Sequence, residues 1–78
     1  MNTTEIKTTI EKFFKEKPVL EGISQDQDFF ESGASSLTIV DMQIQIEKAI
    51  GVAVETHKLM ANPTIKGWVE LYGSQAVA

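Results

Sequence analysis

Two adjacent hydroxyls, Ser35 and Ser36, stand in "DFFESGASSLTIVDMQIQIE" between Gly33 and a long apolar stretch. Serines in that setting have two chemical uses. Ser35 is placed to cap a helix that starts at the next residue, its side-chain oxygen accepting from an early backbone N–H. A helix start also offers free N–H groups and a positive dipole potential, so a phosphate joined to a hydroxyl there would be stabilised. Hydrolase chemistry is a poor match. A nucleophile elbow needs Gly-x-Ser-x-Gly after a strand, and here no strand precedes and no second glycine follows Ser36. The one histidine, His57, reads as a solvated residue of a short helix rather than a base. A calcium loop beginning at Asp26 also fails. Phe30 and Leu37 fall at its fifth and twelfth positions, which need oxygen ligands, and Glu31 falls at the sixth, which needs glycine. With no cysteine in the chain, neither a disulfide nor a thiolate metal site is available.

The elements that must position these serines are legible from period and punctuation. Ile6, Ile10, Phe13 and Phe14 share one helical face, so a first helix is expected over residues 3–17. Asn2 and Glu5 form a capping-box start, Lys15 and Lys17 sit near its negative end, and Pro18 stops it. Residues 18–35 show no sustained period, but Val19, Leu20, Ile23, Phe29 and Phe30 are apolar anchors. An ordered loop laid over the core is therefore expected.

A second helix is expected from Ser36 to Ile50, closed by Gly51 in left-handed geometry with Lys48 in the last turn. It carries two apolar stripes: Ile39, Met42, Ile46, Ala49 and Ile50, and beside them Leu37, Val40 and Ile44. One stripe faces the core and the other is left for a partner. By period alone Val40 and Ile44 fit either stripe's role. Thr56 is expected to cap a short helix through about Ala61, and "VAVE" is too short to read as a strand. A last helix begins near Thr64 with Ile65, Trp68, Val69 and Tyr72 on one face; Gly67 within it suggests close packing. Met42, Ile46, Ile50, Phe13, Phe30, Ile65 and Val69 are the expected core, with Trp68 as a packing residue, and residues 73–78 a frayed tail. The expected fold is all-α: a four-helix bundle of three main helices and one short one, with a long ordered loop between the first two.

At 78 residues the chain makes one domain, residues 1–78, with a modest core. Its net charge of −4 argues against a nucleic-acid backbone and for partners with basic patches. No apolar run approaches the roughly 18 residues of a membrane span, and the N-terminus lacks the pattern of a secretory signal. A soluble, cytoplasmic monomer is expected; Met1 suggests a free-standing protein, and an excised domain with an added methionine is the alternative.

"DFFESGASSL", "IVDMQIQIEKAIGV" and "LMANPTIKGWVELY" together resemble the phosphopantetheine carrier proteins, the acyl carrier and peptidyl carrier domains. The resemblance runs over nearly the whole chain, in order and with family-like spacing, and implies an acyl-carrier-protein-like fold. It implies that Ser36, immediately before Leu37, receives 4′-phosphopantetheine from coenzyme A by the action of a separate phosphopantetheinyl transferase. The terminal thiol of that arm would hold an acyl or aminoacyl group as a thioester, which explains how a cysteine-free chain takes part in thiol chemistry. Leu37, Val40, Asp41, Ile44 and Glu47 would form the exposed recognition face. The partners implied are loading enzymes and ketosynthase or condensation domains; the carrier itself would catalyse nothing. Ser35 stands where fatty-acid carriers usually show aspartate and many peptidyl carriers histidine, and the second helix is less acidic than in typical fatty-acid carriers. "LMANPTI" looks more like polyketide or mixed polyketide–peptide carriers. A fatty-acid-synthesis carrier is the alternative within the family. A helical interaction module whose two serines merely cap a helix is the alternative outside it.

Overall fold

The computed structural model describes residues 2–76, and among these there are four helices and no strand. They are α1 (Thr3–Lys15), α2 (Ser36–Ile50), α3 (Thr56–Ala61) and α4 (Ile65–Ala76), with a single 3-10 turn over Pro18–Leu20. The all-α, acyl-carrier-like bundle expected from the sequence is the observed one. The capping box forms as read: Asn2 Oδ1 accepts from the Glu5 N–H at 2.8 Å, and Glu5 Oε1 accepts from the Asn2 N–H at 3.4 Å. α1 ends two residues before the expected boundary. Pro18 disfavours helical backbone at the residue before it, and Lys17 is extended at φ −100°, ψ 116°.

α1 packs against α2 and α4, and the core lies between them. The loop between α1 and α2 is ordered by three kinds of anchor. Leu20 and Phe29 are fully buried. Backbone bonds join Phe29 N–H to the Pro63 carbonyl at 2.8 Å and Lys66 N–H to the Gln25 carbonyl at 3.1 Å. The Gln25 amide also donates to Glu11 Oε2 on α1 at 3.0 Å. Phe14, Phe29 and Trp68 then meet edge to face, with centroids 4.6, 5.3 and 5.6 Å apart. One aromatic from α1, one from the loop and one from α4 thus lock three segments together, each pair worth about 1 kcal/mol beyond the area it buries. Trp68 is a full core residue, and its indole N–H donates to the Leu59 carbonyl at 3.1 Å.

Several core assignments shift by one residue. Phe29 is buried and Phe30 is 40% exposed, the reverse of the expectation for Phe30. Asp28 Oδ1 accepts from the N–H groups of both Phe30 and Glu31, which fixes a turn in which neighbouring side chains diverge. Likewise Phe14 is buried, while Phe13 only packs half-buried against the core, as do Ile50 and Val69.

Glu55, not Thr56, occupies the cap position of α3; the Thr56 hydroxyl instead donates to Gln43 Oε1 at 2.9 Å. Thr64 Oγ1 accepts from the Gly67 N–H at 2.9 Å and so caps α4. A Cβ on Gly67 would lie 3.0 Å from the Asn62 Cβ and carbonyl, so the close packing expected there is real. α4 continues through Ala76 where fraying was expected from residue 73, because buried Tyr72 ties the helix down just before that point. The remaining tail, residues 77 and 78, lies outside the described residues.

Candidate functional site

Ser36 is the first residue of α2, and its position is fixed from both sides. Upstream, Gly33 turns the chain at φ 104°, a region open chiefly to glycine. Ala34 then buries its methyl, and its N–H donates to the Phe29 carbonyl at 3.0 Å. Ser35 is extended at φ −96°, ψ 169°, and its Oγ accepts from the Thr38 N–H at 3.3 Å, as an N-cap should. Downstream, the Ile39 N–H donates to the Ser35 carbonyl at 3.1 Å and begins the helical ladder. Gly51 closes α2 at φ 79°, as expected.

Against this fixed frame the Ser36 side chain is exposed, and its hydroxyl has no protein partner among the described residues. The N–H groups of Ser36 and Leu37 precede the first helical bond and likewise meet no protein acceptor. No acidic residue lies in the first turn of α2. A phosphodiester on Ser36 Oγ would therefore meet open N–H donors and a favourable dipole, with no carboxylate of that turn to repel it. The donor set fits a phosphate-linked group.

From Ser36 the outer face of α2 runs through Leu37, 82% exposed, half-buried Val40, exposed Asp41 and Ile44, 51% exposed. Four of the five residues expected on a recognition face share this surface. Glu47 does not. It is half-buried, and its Oε2 accepts from Gln43 Nε2 at 3.2 Å, the Val54 N–H at 3.0 Å and the Tyr72 hydroxyl at 3.0 Å. The expectation of an exposed Glu47 is corrected: its carboxylate joins α2 to the α2–α3 connection and to α4. Burial, with the Glu47 carboxylate beside it, pushes the Tyr72 hydroxyl well above its ordinary range. Gln43 completes the cluster, its amide donating to the Val54 carbonyl at 2.9 Å.

Asp41 pairs with Lys17, and Gln45 Nε2 donates to the same carboxylate oxygen at 3.0 Å. Lys17, then Gln45, hold the Asp41 carboxyl below its ordinary range. No sequence period signals this pair, because its members lie in different elements and are joined only by the fold. The Glu47 cluster was equally invisible: Tyr72 read simply as part of an apolar face. His57 is exposed on α3, its Nδ1 3.3 Å from Glu55 Oε2. Among the described residues no cluster of acidic or histidine side chains could hold a metal ion, and no helix is long and apolar enough to cross a membrane.

The family described as a phosphopantetheine attachment site matches residues 4–72, a span that takes in all of α2 and the whole loop before it. No curated protein and no solved structure gives a significant match.

Proposed function

The chain belongs to the phosphopantetheine-attachment family, with 4′-phosphopantetheine as its prosthetic group, and from that premise we propose that Ser36 is the attachment residue. The observation that carries this reading is the exposed, unengaged Ser36 hydroxyl at the first residue of α2. Ser35 is occupied as the cap, so the two hydroxyls divide the labour: one holds the helix start, the other faces the transferase. As the bond from Ser36 Oγ to phosphorus forms, the phosphoanhydride bond of coenzyme A breaks, its nucleotide half leaves, and the Ser36 hydroxyl loses its proton. His57 is engaged with Glu55 on another helix, so the transferase supplies the base. The open N–H groups of Ser36 and Leu37 then steady the phosphate. When attached, the arm supplies a terminal thiol on which an acyl or aminoacyl group is held as a thioester. The chain catalyses nothing itself. It presents cargo to successive enzymes, with Leu37, Val40, Asp41 and Ile44 as the face they meet.

The pathway we propose is polyketide or mixed polyketide–peptide assembly, in the cytoplasm, with the carrier acting as a monomer beside its loading and condensing enzymes. Supporting this are the "LMANPTI" segment and the scarcity of free carboxylates on α2, where Asp41 is paired and Glu47 is turned inward. Efficient elongation on this carrier by a reconstituted fatty-acid synthase would overturn the pathway while leaving the carrier role intact.

The attachment is tested by intact-mass measurement after incubation with coenzyme A and a broad-specificity phosphopantetheinyl transferase. The native chain and Ser35→Ala should gain one phosphopantetheine, and Ser36→Ala none. A gain that survives Ser36→Ala sinks the assignment.

A further inference from the structure

The charges of this chain are unevenly placed. Residues 18–35 hold Glu21, Asp26, Asp28 and Glu31 and no basic residue; the other seven acids are matched by seven lysines. The whole net charge of −4 is thus accounted for by the loop that precedes Ser36. α2 itself carries Asp41, Glu47 and Lys48. Glu47 spends its carboxylate on three internal donors, and Asp41 is paired with Lys17.

Lys17 is well prepared for that contact. It lies where α1 breaks at Pro18, and its backbone is bonded on both sides: its N–H donates to the Phe14 carbonyl at 3.1 Å, and its own carbonyl accepts from the Leu20 N–H at 2.9 Å. Its side chain is only 27% exposed, and its ammonium reaches Asp41. Much of the ordering that makes surface ion pairs weak has already been done by the fold. Gln45, donating to the same oxygen, orients the carboxylate further.

Taking α2 as the docking face of the carrier, as proposed above, we infer that Lys17 is a specificity-determining residue: it neutralises Asp41 and fits this face to an enzyme groove that is apolar and uncharged. An arginine or lysine of a partner that approached Asp41 would have to displace Lys17, exchanging one ion pair for another with little gain. Leu37, Val40 and Ile44 around it offer apolar area with no such exchange. A partner lined with cations opposite α2 thus meets a face that gives those cations nothing in return for their desolvation.

The test compares kcat/KM for phosphopantetheine transfer from coenzyme A onto the full chain by two phosphopantetheinyl transferases, one with an apolar docking groove and one whose groove is lined with arginine and lysine. The native chain should favour the apolar-groove enzyme. Lys17→Gln, which frees Asp41, should shift the ratio about fivefold or more toward the basic-groove enzyme, the scale of one exposed charge contact. Lys17→Gln with Asp41→Asn should return the ratio to the native value. A merely structural ion pair would move neither ratio. Preference of the native chain for the basic-groove enzyme overturns the inference, as does a ratio that Lys17→Gln leaves within about twofold. Failure of both enzymes to add mass to Ser36 would instead count against the carrier reading itself. Helix content by circular dichroism, measured for each variant, separates misfolding from lost recognition; should Lys17→Gln unfold, Lys17→Met carries the same test.

Discussion

At its N-terminal end α2 presents Ser36 and Leu37 to solvent with only the Ser35 cap behind them, whereas near its C-terminal end Glu47 gathers donors from α2, the α2–α3 connection and α4. Both ends are polar, yet their polar groups do opposite things. At the first end, N–H and hydroxyl groups are left for something the protein does not supply. At the second, every buried side-chain donor and acceptor is matched within the chain. One helix is left open at one end while it is secured at the other. The difference shows that hydrogen-bonding residues on a helix do not by themselves mark a site. What marks it is a hydroxyl held in place whose bonding capacity the fold leaves unused.

The largest effect that would sharpen this contrast is on stability. Glu47→Ala leaves the Val54 N–H and Tyr72 hydroxyl without their acceptor and should cost about 2–3 kcal/mol in urea unfolding. Ser36→Ala, at the proposed attachment residue, should cost under about 0.5 kcal/mol, because its side chain is exposed and unengaged. Equal losses at the two positions would erase the distinction. Next in size, Tyr72→Phe removes a single donor to a carboxylate and should cost about 1.5 kcal/mol. It should also alter the alkaline limb of a stability–pH curve. The Tyr72 hydroxyl titrates above its ordinary 10.0 when folded, so the unfolded chain loses that proton first. The native protein therefore keeps this contribution in full below about pH 10 and loses it as pH rises beyond, a loss that Tyr72→Phe should lack. Smaller than the loss at Tyr72 is that of Ser35→Ala, about 1 kcal/mol for a lost cap. Measured by thermal unfolding, it should leave attachment at Ser36 intact; loss of attachment as well would mean that the two serines do not act separately.

Much of this was readable in the chain, and the reasons are local. Ser36–Ile50 was legible as α2 because its limits are set by a capping serine and a left-handed glycine, both of which act within a few residues. Asn2 and Glu5 made the start of α1 equally plain. The choice of Phe30 over Phe29 failed because no period operates in the loop, where Asp28 and the Pro63 carbonyl decide which ring turns inward. Around the proposed site, the start of α2 at Ser36 was legible from its capping serine, and the exposure of Leu37 from the resemblance to a family. Glu47 was misplaced because acids on a helix ordinarily face solvent, and only the fold brings Tyr72 and Val54 to it. Lys17 went unremarked beyond its helix-end charge because its partner lies in another element.

The Phe14–Phe29–Trp68 contact gives this protein a built-in optical gauge. Trp68 is the only tryptophan in the chain; it is fully buried and touches rings from α1 and from the loop. Its emission therefore responds to solvent at the one point where three segments meet, without any label. Loading or docking that leaves the spectrum unchanged takes place on a scaffold whose aromatic centre stays shut, and a red shift marks the moment the loop lifts away from it.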